Sequence, residues 1–241
     1  MKIEHIYLAL RKRLRLLFSG RYFVVQRRGI RYLLDAYGYI DRHIEAFGIY
    51  EQDQLTYFVE KISQLNPSLF IDAGANLGLY SVNVACRISG IKVIAFEPDE
   101  RNRAHLIANI FLNGLEDVVR VERVALSDCG GHARFHRHDK ENPGRSMLTN
   151  EGEYTVTIKA LDDVVNVMGE RIAIKIDVEG HELPLLKGAR RLLTENQCFI
   201  QVESFSPDGV FEFLNDLGYV LQRQFGNDYF FGCRQVNRGQ L

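Results

Sequence analysis

The run Phe70-Ile71-Asp72-Ala73-Gly74-Ala75-Asn76-Leu77-Gly78-Leu79-Tyr80, with Val93-Ile94-Ala95-Phe96-Glu97-Pro98 one strand-and-helix unit later, constrains the fold of this chain more than any other segment. An apolar, β-rich stretch ends in a glycine-containing turn, a stretch of helical period follows, and a second apolar strand stops on one carboxylate. This is the pattern of a nucleotide-binding βαβ unit. Glycine lets the backbone turn tightly and approach a ligand, the helix start offers unpaired N–H groups, and a carboxylate at the second strand's tip accepts ribose hydroxyls. The segment predicts an adenosine-containing cofactor. The plain alternative is a glycine turn that only leads a strand into a helix.

The spacing of the glycines bears on which cofactor. They fall at 74 and 78 with Asn76 between them, whereas a dinucleotide fingerprint needs a glycine at the middle place and a third beyond it to seat a pyrophosphate. Asp72 would repel phosphates, yet it suits the amino group or sulfonium of S-adenosylmethionine. The charge logic favours a methyl donor over a nicotinamide dinucleotide.

The chain's 241 residues, 46% hydrophobic and 25% charged, suffice for one large α/β domain with an extension. Strands read at 69–73, 92–97, 119–125, 172–177 and 198–203, and helices at 51–65, 79–89, 100–112, 181–194 and 207–217. Segments 219–224 and 229–233 are joined by Gly226-Asn227-Asp228, too short for a crossover helix, so they should pair antiparallel. A parallel sheet closed by an antiparallel C-terminal strand is the architecture of class I S-adenosylmethionine-dependent methyltransferases, and nicotinamide domains normally keep all strands parallel. The expected fold is therefore α/β: a class I methyltransferase Rossmann-like doubly wound sheet, mostly parallel, over 51–241, preceded by a basic helical and lid extension over 1–50. Residues 22–25, 31–34 and 38–41 read as short strands and turns of the lid. Residues 128–160 read as an insertion forming a hairpin and a mobile loop over the site; its His132, His136 and His138 fit a surface hairpin better than a metal site.

Charge is unevenly spread. The first 31 residues hold nine of the 30 Lys and Arg but only one of the 31 acids, Glu4. Ile3, Ile6, Tyr7, Leu10, Leu14, Leu17 and Phe18 recur among these bases at helical spacing, as in an amphipathic surface helix. Such a helix suits a cap packing its apolar stripe on the domain or on a second subunit, giving a homo-oligomer. The lesser reading is peripheral contact with an anionic membrane. No aromatic-basic module for nucleic acid is present. Cys86, Cys129, Cys198 and Cys233 have no metal-ligand spacing and read as reduced, mostly buried thiols. With no apolar run of about 18 residues and no signal-peptide pattern, the expected location is cytoplasmic, or peripheral at the inner face of a membrane.

Several motifs together carry a family resemblance. Ile71-Asp72-Ala73-Gly74-Ala75-Asn76-Leu77-Gly78-Leu79-Tyr80-Ser81, Ala95-Phe96-Glu97-Pro98, Asn109 with Asn113-Gly114-Leu115, Val124-Ala125-Leu126-Ser127-Asp128, Leu161-Asp162-Asp163 and Ile174-Lys175-Ile176-Asp177-Val178-Glu179-Gly180-His181-Glu182 resemble, in order and spacing, the FkbM family of methyltransferases. The resemblance covers about residues 30–233. It implies an S-adenosylmethionine-dependent O-methyltransferase acting on a hydroxyl of a small molecule, sugar or glycan, including lipid-linked or cell-surface ones. A nicotinamide-dependent oxidoreductase and a noncatalytic cofactor-binding scaffold are the alternatives; the former would lack its Tyr-x-x-x-Lys pair.

Roles follow from chemistry and position. Asp72, Gly74, Asn76, Gly78 and Tyr80 should surround the methionine end of the cofactor, Glu97 the ribose, and Ala125-Leu126-Ser127 the adenine. Asp177, Glu179 and Glu182, with Lys175 and His181 interleaved, fall at the carboxyl end of a central strand, where open α/β sheets bind ligands. Methyl transfer from a sulfonium is an in-line displacement, so the acceptor oxygen must be held close and its proton removed. Asp177 is the first choice for proton acceptor, also beside the cofactor, with His181 the second. Asp177, Glu179 and Glu203 would alternatively bind a divalent cation such as Mg2+ that acidifies the hydroxyl, although Glu179 and Glu182 equally suit a helix start.

Overall fold

The computed structural model describes residues 2–137, 147–149 and 151–233, so His138, Gly144 and Arg145 lie outside the described residues. A long helix, α1 (Lys2–Phe18), leads into an antiparallel hairpin of β1 (Tyr22–Arg27) and β2 (Ile30–Asp35), then α2 (Tyr39–Phe47) and α3 (Gln52–Leu65). The core follows as β3 (Leu69–Ala73), α4 (Leu79–Arg87), β4 (Lys92–Phe96), α5 (Glu100–Leu112) and β5 (Val119–Glu122). After an insertion come β10 (Arg171–Ile176), α7 (Glu182–Lys187), α8 (Arg190–Glu195), β11 (Gln197–Glu203), α9 (Asp208–Asp216), β12 (Tyr219–Phe225) and β13 (Asp228–Cys233).

These strands form one seven-stranded sheet in the order β12-β13-β11-β10-β3-β4-β5. β3, β4, β5, β10 and β11 pair in parallel, whereas β13 pairs antiparallel with both β11 and β12. This is the class I methyltransferase arrangement expected from the sequence. Side chains alternate between two buried faces: Phe70, Ala95, Ala173, Phe199 and Phe230 pack with α3, α4 and α5, while Ile71, Ile174, Ile200 and Phe231 pack with α7, α8 and α9. The β1–β2 hairpin joins the first face through Phe23, Val25, Ile30 and Leu34. It is bound to α5 by the Asn109 and Asn113 side chains, which accept the Leu33 and Arg31 N–H groups. Parallel strands with helices on both faces put every strand's carboxyl end at one edge, where a site can be assembled.

Four expectations are corrected. The stretch 38–41 is not a lid strand but the start of α2, whose buried side carries Asp41, His43 and Glu45 beside Ile44, so its period is hidden from a hydrophobicity reading. The strand expected over 119–125 ends at Glu122. The chain then turns and begins β6 (Ala125–Ser127) in a second sheet, ordered β6-β9-β7-β8 with β7 (Gly131–His136), β8 (Met147–Leu148) and β9 (Tyr154–Ala160). The helix expected over 181–194 is broken into α7 and α8 at Gly188, which lies against the Ser127 carbonyl and whose own carbonyl accepts the Asp162 N–H from α6 (Leu161–Val164). Of the four free thiols, Cys86 and Cys129 are exposed. No helix among the described residues is long and apolar enough to cross a membrane.

Gly188 couples the second sheet to the first. A Cβ there would lie 2.0 Å from the Ser127 carbonyl oxygen, a backbone atom that cannot swing aside. Gly188→Ala is therefore expected to destabilise the fold by about 1–3 kcal/mol through overpacking, read as a lowered midpoint in denaturant unfolding.

Candidate active site

The turn after β3 is built by backbone contacts. Gly74 has φ +82°, and the N–H groups of Gly74 and Ala75 both donate to the Phe96 carbonyl at 3.0 Å. A Cβ on Gly74 would lie 1.8 Å from the Asp177 carbonyl oxygen, so only glycine lets the ends of β3 and β10 close on each other here. Asn76 is left-handed too, with φ 52°, and its N–H donates to Glu97 Oε2 at 2.7 Å. Gly78 caps α4 at φ +90° and is pressed against Leu106.

Glu97 leaves the end of β4 buried. Its Oε1 accepts the Asp99 N–H at 2.8 Å, and burial pushes its carboxyl up to about 8 although both N–H donors oppose this. Asp99 caps α5 through the Arg101 and Asn102 N–H groups. Its Oδ2 accepts Arg137 Nε at 2.6 Å and the Tyr154 hydroxyl at 2.8 Å. Burial alone would raise its carboxyl, but the Arg137 guanidinium and the N–H donors outweigh that and hold it below the ordinary range. Asp99 thus fastens the second sheet to the turn beside Glu97.

A cleft with about 600 Å3 of atom-free space, its open mouth included, lies between these parts. Gly74, Asn76, Glu97, Ala125 and Leu126 line one side; Phe135, Met147 and Leu148 of the second sheet line another; Asp177, Val178, Glu179 and His181 close the far end. Eight of the residues singled out from the sequence thus meet in one cavity. Ser127 and His181 line an adjoining shallow depression, with Ser127 Oγ and His181 Nε2 2.9 Å apart. Burial lowers the His181 pKa, so this imidazole is neutral at pH 7.

The other predicted residues lie beneath or beside the cleft. Asp72 is 1% exposed; its Oδ2 accepts the Ser81 N–H and hydroxyl at 3.0 and 2.6 Å, fixing the start of α4. Burial raises its carboxyl despite the opposing Lys175 charge. Tyr80 is buried, and its hydroxyl accepts Gln201 Nε2 at 2.9 Å. Glu182 is buried and accepts the Gly180 N–H at 2.7 Å, closing the turn before α7.

Lys175 is buried under the end of β10. Its Nζ donates to Asp177 Oδ2 at 2.8 Å and sits 5.0 Å from the Tyr80 ring centre. Burial would lower its pKa, but the carboxylates of Asp177, Glu51 and Asp72 outweigh it and raise the value, so the ammonium stays charged. Burial lifts Glu51 to about 7 and Glu203 to about 8, the latter also through the nearby Asp177 charge. The expected metal set is a correction: among the described residues no group of three His, Cys, Asp or Glu is placed to hold a metal ion. Asp177 instead spends one carboxylate oxygen on the Lys175 ammonium, 2.8 Å away. His136 contacts Glu153 at 3.6 Å, and His132 is exposed.

Sequence reasoning passed over Asp99, Arg137, Tyr154, Tyr50 and Glu51. Asp99 could have been found as an N-cap directly before a helical period. Tyr50 and Glu51 carried no local signal; they come from the segment before α3, and Tyr50 feels the charges of Glu51, Glu203 and Asp177, which places that segment over the ends of β10 and β11. Glu51 holds a left-handed backbone, φ 51°, unusual for a non-glycine residue.

A doubly wound sheet ending in an antiparallel strand, with a glycine turn and a carboxylate facing one cleft, defines a class I methyltransferase. The profile of the methyltransferase FkbM domain matches residues 72–221, and the chain belongs to that family; it is a methyltransferase. It is similar to methyltransferase sdnD of Sordaria araneosa, 28% identical over an alignment of 202 residues that covers 69% of this chain and 78% of that one. It is also similar to the hexuronic acid methyltransferase AglP of Haloferax volcanii, 27% identical over 155 residues, 64% of this chain and 62% of that protein's length. Among solved structures it resembles a methyltransferase FkbM from Methylobacillus flagellatus, with a TM-score of 0.51 at 17% identity, over 69% of this chain and 44% of that one.

Lys175 is the cation on which the buried carboxylates depend. Lys175→Met is expected to cost about 3–5 kcal/mol of stability at neutral pH. The sign with pH is fixed: without the ammonium, the Asp72 and Glu51 carboxyls, already raised by burial, take up protons more readily when folded than when unfolded, so the loss grows as pH rises and is partly relieved near pH 5. Urea unfolding of the variant and the wild type at both pH values checks this.

Proposed function

We propose that the chain is an S-adenosylmethionine-dependent O-methyltransferase whose acceptor is a hydroxyl of a sugar or glycan. The observation that carries the reading is the single cleft that brings the Gly74–Asn76 turn, the buried Glu97 and Asp177 together. Fit supports the cofactor. The Gly74 turn closes on the Asp177 backbone and lines the cleft, and Glu97, with one N–H on each oxygen, keeps further lone pairs for two ribose hydroxyls. The apolar Leu126, Phe135 and Leu148 suit an adenine face. When bound, the cofactor supplies an electrophilic methyl group. The sugar part leans on likeness to the hexuronic acid methyltransferase, and the cofactor on the fold shared with a Pyrococcus abyssi tRNA (uracil-54, C5)-methyltransferase solved with S-adenosyl-L-homocysteine, at TM-score 0.50 and 15% identity over 88% of this chain and 44% of that one.

This chain's own residues perform the rest. Asp177, held in one orientation by Lys175, accepts a hydrogen bond from the acceptor hydroxyl and aims its oxygen along the line of displacement. Glu203, pushed up to about 8 by burial and by the nearby Asp177 charge, stays protonated at neutral pH and so adds no second negative charge beside Asp177. Tyr50 and Glu51 are near enough to feel the Asp177 charge, and on that ground the segment before α3 is assigned the selection of the acceptor. Leu126 and the second sheet exclude water from the other end.

Transfer of labelled methyl from S-adenosylmethionine to a panel of hydroxylated glycans tests the reading. Asp177→Asn is expected to lower turnover by about a hundredfold or more with cofactor affinity within about threefold, while Glu97→Ala weakens cofactor binding by about tenfold or more. Exchanged effects would refute the role assignment.

A further inference from the structure

Helix α1 rests on the molecule with its polar side. Arg11 Nη2 and Arg15 Nε hold the buried Glu45 Oε1 at 3.0 and 2.6 Å, Lys12 Nζ lies 4.3 Å from the Tyr37 ring centre, and the Arg15 guanidinium 4.6 Å from that of Phe23. Leu8 is buried on this side, with Leu16 partly so. At about 100° per residue, Ile6, Leu10, Leu14, Leu17 and Phe18 share a stripe roughly 120° wide that faces elsewhere. Their exposures are 68, 56, 47, 77 and 83%. The cap expected from the sequence, with its apolar stripe on the domain, is thus inverted: the bases dock the helix and the apolar residues face outward.

An apolar stripe of this size implies an occupant. A second copy would bring another segment with nine Lys or Arg and one acid in its first 31 residues. Laid stripe to stripe, the two would repel, because the nearby acids Glu45 and Asp35 are already taken by Arg11, Arg15 and Arg21. An anionic lipid surface offers the opposite sign. The exposed Arg13 borders the stripe on its Ile6 side, where it meets headgroups as the leucines enter the acyl boundary.

We propose that α1 is a peripheral membrane anchor that lays Ile6, Leu10, Leu14, Leu17 and Phe18 into an anionic phospholipid surface. The inference stands apart from the cofactor and acceptor. Co-sedimentation of the full chain with phosphatidylglycerol–phosphatidylcholine vesicles, against phosphatidylcholine alone, tests it. The protein is expected to pellet with the anionic vesicles only, less so at high salt, and the double variant Leu10→Asp, Leu14→Asp to bind about tenfold or more weakly at an unchanged melting temperature. Arg13→Glu should weaken binding while leaving the apolar stripe intact. Failure of the wild-type protein to bind anionic vesicles, or undiminished binding of the double variant, would overturn the proposal. So would a wild-type dimer in sedimentation that the double variant splits, since the stripe would then belong to a second copy.

Discussion

The contact between the Gly74 turn and the backbone of Asp177 is the constraint on which the rest of the site depends. Two parallel neighbours, β3 and β10, end there, and the turn swings across so closely that a methyl group would collide with the Asp177 carbonyl oxygen. The same turn is tied to β4, because two consecutive N–H groups share the Phe96 carbonyl. Three strand ends are thereby locked in one register. Glu97 and Asp177, one residue past β4 and β10, are fixed on opposite sides of the cleft by backbone geometry rather than by side-chain choice.

Electrostatics then divides the cleft. On one side Glu97 is buried, and burial outweighs its two N–H donors and the Arg103 charge to leave its carboxyl raised. On the other, Lys175 is buried among Asp177, Glu51 and Asp72, whose charges outweigh burial and keep its ammonium protonated. This buried ion pair holds Asp177 in one orientation. It also makes the region dependent on every partner, since losing one leaves charge buried and unpaired. Asp99 acts in the same way on a smaller scale. By holding Arg137 and Tyr154 it joins the second sheet to the turn beside Glu97.

Much of this was legible in the chain. The strands of the main sheet are β-rich runs whose side chains alternate between two buried faces, and the short Gly226-Asn227-Asp228 link forces an antiparallel pair, so order and direction followed from periodicity and loop length. The glycine turn and Glu97 were visible because backbone demands leave a residue-level trace. What was hidden has physical causes. Helix α2 buries Asp41, His43 and Glu45, so its inward side reads as polar. The break after Glu122 and the interruption at Gly188 are imposed by packing between the two sheets, which no local pattern records. Tyr50 and Glu51 reach the strand ends through tertiary contact alone. The outward stripe of α1 was legible as a pattern, but its direction was set by Glu45, 30 residues from Arg15.

The central claim is that this cleft is built for a cationic, adenosine-bearing methyl donor and not for a dinucleotide. Calorimetric titration of the purified full chain with S-adenosylmethionine, S-adenosylhomocysteine and NADH tests it most directly. The account predicts saturable one-to-one binding of the first two and none of NADH. Binding of NADH by the folded protein, with neither of the others bound, would contradict it.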